Sequence, residues 1–382
     1  MNERTENIRY SFLVSLNIMM LCDGFGYITY YLLDANVSDK DIGIVLALSC
    51  AAAVVLQQIS GRLTDSGAIG GKILLILMSA VMSVLAFALL FVDGGLTKSL
   101  LFGLLTCLTL AMQPVINSFT FFYKAKNISV DYGIARGCGS LSFAVASGIV
   151  GFLTVKFGSI VVSSSYLIFC LAFLATAFFM PEISGRSSSE KTGGNLNLSK
   201  FPAFRLMLIG LSLIMIFHNM LMAYFIRVIE LVGGNSEDLG FALGIAAMTE
   251  IPVLFLYTRI KGQTSSKIFL AVSGVAFFAR AFLIVFAQSV FEIYLIQCIQ
   301  FFSYGLLAAA RVYYVDEVVG KKYETTGQAY MTATETLGMV FGSLLGGFLI
   351  HVGNVNVMTG AGAIICFVGM ILVLQSALKL AK

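Results

Sequence analysis

The sequence predicts an all-α membrane protein: twelve transmembrane helices forming two pseudo-symmetric six-helix bundles. Three observations predict it. Hydrophobic residues fill 58% of the 382 positions and charged residues only 12%, where a soluble domain carries about 25% charged residues. The apolar residues fall in runs long enough to cross a bilayer. The basic residues between those runs collect on alternate loops. With a mean hydropathy of +0.93, water cannot solvate such a chain. Lipid can, provided that every backbone polar group is paired inside helices.

A span needs about 20 apolar residues at 1.5 Å rise each. The expected spans are 10–33, 42–63, 73–92, 99–123, 132–155, 158–180, 205–229, 239–258, 268–288, 291–315, 325–350 and 355–378. The first run extends to about Leu33, too far for the short core of a signal peptide, so it is read as a span. An even number of spans puts both termini on one side. On that side fall 17 of the 24 basic residues, against four opposite (Lys40, Lys98, Lys156, Arg227) and three inside spans (Arg136, Arg280, Arg311). Positive charge accumulates in the cytoplasm, so both termini are expected there, in the cell membrane.

The longest hydrophilic stretch, Pro181 to Ala203, reads as a cytoplasmic linker. It separates an N-terminal bundle, 1–180, from a C-terminal bundle, 204–382. The halves look like repeats: Tyr132 opens span five and Tyr323 precedes span eleven, 191 positions later, while Gly61-Arg62-Leu63-Thr64-Asp65 after span two is matched by Tyr257-Thr258-Arg259-Ile260-Lys261 after span eight. Duplicated bundles that rock about a shared cavity are a common transporter plan.

Seven cysteines lie inside apolar runs without a CxxC pair, and the two histidines, His218 and His351, are far apart. Neither a disulfide framework nor a metal site is expected, and no cofactor. There is no Gly-x-x-x-x-Gly-Lys-Ser/Thr phosphate loop, no HExxH, GxSxG or Rossmann fingerprint, and no basic–aromatic nucleic-acid surface. ATP-driven transport and enzymatic activity are therefore not expected.

Ionisable groups deep in spans carry the functional signal, because a charge at midplane costs about 2.5–3.5 kcal/mol on insertion scales. At 1.5 Å per residue, Glu335 lies roughly 15 Å from its helix start, Glu250 roughly 17 Å, Arg280 roughly 18 Å, and His218 and Asp23 roughly 20 Å. These define a polar cavity at the repeat interface, where carboxylates take up and release protons and an arginine clamps hydroxyls or an anion. The bland alternative is acid–arginine pairing that braces helices. Arg136 either joins the cavity or snorkels to the surface. Arg311 either reaches the interface or pairs with Asp316. Gln113, Asn117, Gln300 and Gln328 are the neutral groups expected to line the cavity, with Tyr27, Tyr30, Phe121 and Tyr304 as aromatic candidates. Gln297 is read as an interhelical hydrogen-bonding group. The doubled GxxxG of Gly338, Gly342 and Gly346 is read as packing within the chain, which is taken to be a monomer.

These residues resemble the major facilitator superfamily over essentially the whole chain. Gly61 to Asp65 resembles its loop signature, Gly-x-x-x-Asp followed by basic residues, although Ser66 to Lys72 keeps only one base. The chain is most similar to the lactose permease (oligosaccharide:proton symporter) branch, through Asp41-Ile42-Gly43-Ile44, Tyr132 to Gly139, Met248-Thr249-Glu250 and Ala279-Arg280. The resemblance implies that Glu250 and Arg280 bind the solute and couple a proton. Departures are informative. The branch's His and Glu of span ten are Gln300 and Ser303 here, and its sugar-binding acid in span four is absent, leaving Asn117 nearby. Its lysine near span eleven is replaced by Glu335, with His218 as an expected partner.

The function expected is secondary active transport, specifically proton-coupled uptake of a small polar organic solute: a sugar, nucleoside or aromatic acid. The alternative is a proton-driven exporter of amphipathic compounds. An intramembrane enzyme lacks a catalytic constellation, and a sensor lacks an output domain. The expected substrate- and proton-binding residues are Asp23, Asn117, Arg136, His218, Glu250, Arg280, Gln300 and Glu335.

Overall fold

The computed structural model describes residues 3–126, 128, 130–182, 196, 198–320 and 323–379, with the backbone alone at Asp65, Phe121, Lys124, Ala125, Leu254, Thr258, Glu324 and Thr325. Most of the expected linker, the Lys321-Lys322 pair and the Asp65 and Phe121 side chains lie outside the described residues.

Twelve helices are long and apolar enough to cross a membrane, and the described residues contain no strand. They are α1 (Glu3–Asp34), α2 (Asp39–Asp65), α3 (Gly71–Leu89), α4 (Gly95–Ala125), α5 (Tyr132–Phe157), α6 (Ile160–Phe178), α7 (Pro202–Ala223), α8 (Ser236–Lys261), α9 (Ser266–Phe286), α10 (Val290–Val319), α11 (Glu324–Val352) and α12 (Val355–Lys379). Each overlaps an expected span; α1, α2, α4, α8 and α10 run longer by a turn or two, while α3, α6 and α7 are shorter than expected. Polar residues outside hydrocarbon still propagate a helix, as in Glu3 to Arg9 of α1.

Local chemistry sets the ends. The Ser38 hydroxyl accepts from the Asp41 amide at 3.2 Å and the Asp131 carboxylate from the Ile134 amide at 3.0 Å, each capping a helix start. Pro202 sits at the start of α7, where its missing N–H costs nothing. Gly158 and Gly320, with φ of +74° and +71°, end α5 and α10 in a backbone region that glycine enters freely.

Three helices are broken in ways that hydropathy does not reveal. In α1 a π turn runs from Cys22 to Tyr27. The apolar run expected as one span at 205–229 breaks at Tyr224, and a short helix continues from Phe225 to Leu231. In α10 a helix Val290–Gln297 passes into a 3-10 turn, Cys298–Phe301, before helix resumes at Tyr304.

The chain divides into two compact units, Met1–Ser189 with Asn235–Gly244, and Glu190–Gly234 with Ile245–Lys382. In the first, α1 packs on α5 and α6, and α3 on α6; in the second, α7 packs on α11 and α12, and α9 on α12. The repeat extends to single hydrogen bonds. Tyr27, at the break in α1, donates to the Ser147 carbonyl of α5 at 2.6 Å. Tyr224, at the break after α7, donates to the Ser343 carbonyl of α11 at 3.1 Å. The tyrosines are 197 positions apart and the serines 196. Beside each tyrosine lies a glycine: a Cβ on Gly151 would fall 2.8 Å from the Tyr27 hydroxyl, and one on Gly346 would fall 2.7 Å from the Tyr224 ring.

The GxxxG run packs α11 onto α7 inside the second unit. A Cβ on Gly338 would meet the Met215 backbone at 2.7 Å, and one on Gly342 the Ile216 carbonyl at 2.6 Å. Removing side chains there lets two backbones approach and gain dispersion contact where lipid offers no hydrophobic drive.

Candidate functional site

In the second unit, Arg280 of α9 is fully buried. Its Nη2 donates to Gln297 Oε1 at 2.7 Å, its Nη1 donates to Gln300 Oε1, and Nη1 lies 3.5 Å from His218 Nδ1. Gln300 Nε2 donates onward to Glu250 Oε1 at 2.9 Å. The partners of the guanidinium are thus two amides and an imidazole, and Glu250 of α8 reaches it through Gln300. Four helices, α7 to α10, each contribute one or more members.

The break in α10 makes this arrangement possible. Gln297 ends one helical segment and Gln300 lies in the 3-10 turn. At three residues per turn, side chains three apart eclipse one another, so both amides present to one arginine. Ser273 of α9 donates to the Ser303 carbonyl at 2.7 Å, tying the broken segment to the helix that carries Arg280. Gly305 lets α8 close on α10: a Cβ there would lie 3.4 Å from Glu250 Cα.

A second cluster adjoins the first. Glu335 of α11 pairs with Arg311 of α10, their side chains 16% and 25% exposed. Tyr304 donates to Glu335 Oε1 at 3.3 Å and stacks on His218, ring centroids 5.0 Å apart and planes 15° apart. Phe277 closes another side of His218 edge-on at 5.6 Å. Two expectations are corrected here. Tyr304 joins His218 to Glu335, and the Glu335 ion pair is made with Arg311. Arg311, expected to reach the interface or pair with Asp316, reaches Glu335 on α11.

In the first unit, Asp23 lies in the π turn of α1 and is fully buried. Ser165 of α6 donates to its Oδ2 at 2.9 Å, while Oδ1 has no partner among the described residues. Gly24 leaves room for Thr106, whose hydroxyl would sit 3.2 Å from a Cβ there. Tyr166 and Thr109 share a 2.6 Å hydrogen bond close by. A π turn adds one residue to a helical turn and is frequent at functional sites.

Asn117 is exposed on α4. Arg136 donates to Ser140 Oγ one turn along α5 at 3.2 Å. Gln328 donates to the Val312 carbonyl of α10 at 2.8 Å, an interhelical bond. Gln297, Tyr304 and Arg311 join the expected residues at the site. The spacing of Gln297 from Gln300 was a usable signal, but only once α10 was known to tighten there.

A family model described as the MFS_1 like family matches residues 21–358. The maltose permease of Geobacillus stearothermophilus is 24% identical over 353 residues, covering 90% of this chain and 87% of that one. Among solved structures, a mutant of the nucleoside transporter NupG superposes with a TM-score of 0.83 at 13% identity, covering 98% of this chain and all of that one. The peptide transporter POT in complex with alafosfalin gives a TM-score of 0.75 at 8% identity, covering 99% of each chain. A bacterial homologue of the human lysosomal transporter Spinster gives 0.71 at 12% identity, covering 97% and 96%. These similarities establish the fold. With the family match spanning most of its length, the chain belongs to the MFS_1-like family and is a multi-pass membrane transporter of the major facilitator type.

Proposed function

We propose that this transporter carries out proton-coupled uptake of a small polar organic solute, a sugar, nucleoside or aromatic acid, by alternating access. Bundles 1–180 and 204–382, joined by the 181–203 segment, are the moving parts, and one membrane face at a time sees the bound solute. The 17-to-4 bias of basic residues supports placing both termini in the cytoplasm and the chain in the cell membrane. The similarity to a maltose permease and to a nucleoside transporter supports the sugar and nucleoside classes.

One observation carries the reading: the continuous chain Glu250–Gln300–Arg280–His218–Tyr304–Glu335–Arg311 inside the membrane-spanning helices. Ionisable groups there are expensive and mark substrate or proton routes. Arg280, Gln300 and His218 hold the solute, and Glu250 and Glu335 carry the proton. Asp23 is a second protonatable group on the first unit, and Asn117 and Arg136 are auxiliary contacts. Proton uptake at Glu250 or Glu335 changes which hydrogen bonds the network makes, and so couples proton occupancy to solute binding.

The test is uptake of labelled solutes into proteoliposomes with an imposed proton gradient. Glu250→Gln should abolish accumulation while sparing counterflow exchange. Accumulation that ignores the gradient for every solute transported would refute proton coupling.

A further inference from the structure

The Arg280–Gln297 pair holds two hydrogen-bond donors that the protein does not use. Arg280 and Gln297 are both fully buried. Among the described residues, Arg280 Nε and Gln297 Nε2 have no acceptor. An unmade bond on a buried donor is costly, and more so when the donor belongs to a charged group. Native structures rarely leave such groups unpaired without a ligand, a water or a functional role.

The network has a direction. Glu250 accepts at one end, through Gln300. Arg280 supplies the positive charge in the middle, and its partners are neutral side chains or His218. Gln297 turns its carbonyl to Arg280 at 2.7 Å and so leaves its NH2 idle. The two idle atoms are therefore both donors, one of them on a cation. A hydroxyl suits them poorly, because a hydroxyl brings its own proton and no charge. An anion with two or more oxygens suits them well, since charge-assisted bonds to a guanidinium are short and strong. Gln297 also ends a helical segment, directly before the 3-10 turn at Cys298–Phe301. Broken membrane helices are where transporters place solute sites.

We infer that the solute carries a carboxylate or phosphate, and that this group docks on Arg280 Nε and Gln297 Nε2. The inference rests on the proposed function of this network as the solute site, and it narrows the solute from polar to anionic. Gln297 is the specificity residue: its idle amide selects acids over their neutral counterparts. The two donors are closed off in this conformation, so the docking step includes a local opening at the turn in α10.

The test uses purified full-length protein in detergent with no gradient, so that its outcome is independent of proton coupling. Binding is read by thermal shift and titration calorimetry on matched probes: glucose against glucuronate and glucose 6-phosphate, uridine against uridine 5′-monophosphate, and benzyl alcohol against benzoate. At least one anion should bind tenfold or more tightly than its neutral counterpart. Preference within the glucuronate and glucose 6-phosphate arms tells carboxylate from phosphate. Gln297→Leu should weaken that anion at least tenfold, and Gln297→Glu more, while gel filtration and circular dichroism remain those of the wild type. If either variant misfolds, the wild-type panel alone decides. A panel in which no anion outbinds its neutral partner overturns the inference and leaves a trapped water as the occupant of both donors. Unchanged anion affinity in folded Gln297→Leu overturns it equally. Anion binding without gradient-driven uptake would instead leave the inference standing and refute proton coupling.

Discussion

The Glu335–Arg311 pair separates a proton carrier from a helix brace. Exposed ion pairs contribute about 0.2–1 kcal/mol, and breaking a buried pair by removing one partner costs about 3–5 kcal/mol. The two side chains are 16% and 25% exposed, between those limits, so Glu335→Gln should cost about 2 kcal/mol. Its remaining carbonyl still accepts from Tyr304, whose hydroxyl is 3.3 Å away. Arg311→Gln should cost a similar amount. The double variant removes both charges of this pair, and double-mutant logic then predicts that about 1–2 kcal/mol is recovered. Stability is measured by denaturant unfolding in mixed micelles, and function by gradient-driven accumulation in proteoliposomes. If Glu335 carries the proton, the double variant regains stability but accumulates nothing above the external concentration. A brace gives the opposite pattern, with stability and accumulation returning together. Wild-type accumulation in the double variant would refute the role given to Glu335.

Three further outcomes are expected. Tyr27→Phe and Tyr224→Phe each remove one buried hydrogen bond at matched positions of the repeat, so each should cost about 1 kcal/mol; a loss confined to one of them in unfolding titrations would argue against equivalent roles. Gly338→Val places side-chain atoms against the Met215 backbone, which a single Cβ already approaches to 2.7 Å; the helices must separate, and the yield of monodisperse protein on gel filtration should fall severalfold, whereas Gly360→Val, with nothing within 4 Å of its Cβ position, should leave it unchanged. Asp23→Asn keeps an oxygen for the 2.9 Å bond from Ser165 and cannot ionise, so thermal stability should hold or rise while accumulation fails; normal accumulation would take Asp23 off the proton route.

Much of the fold was legible in the residues because lipid imposes strict rules. Apolar length marks each helix, basic residues mark one face, and Asp23, Glu250, Arg280 and Glu335 stand out against hydrocarbon. The partners of those groups were far less legible. Depth along a helix can be counted at 1.5 Å per residue, but azimuth advances about 100° per residue. A small error in helical phase thus changes which neighbour a side chain meets. Arg311, for which the interface and Asp316 were both open, pairs with Glu335 on α11. Gln297, read as an interhelical bonding group, does bond across helices to Arg280, but its convergence with Gln300 was hidden because nothing in Cys298-Ile299-Gln300-Phe301 announces a 3-10 turn; no glycine or proline interrupts the run. The π turn at Cys22 to Tyr27 did carry a signal in Gly24 and Gly26.

By itself, then, the amino-acid order determined a membrane protein, its twelve spanning helices, its duplication and the place of each charge along its helix. Those are one-dimensional properties, set by transfer from water to lipid and by charge at the interface. Tertiary structure alone decided that Tyr304 stacks on His218 while bonding Glu335, and that Gln297 and Gln300 converge on one arginine. Those contacts join residues on different helices, and only the packing of small residues such as Gly305 and Gly338, together with the turn inside α10, sets the helix rotations and distances that bring them together.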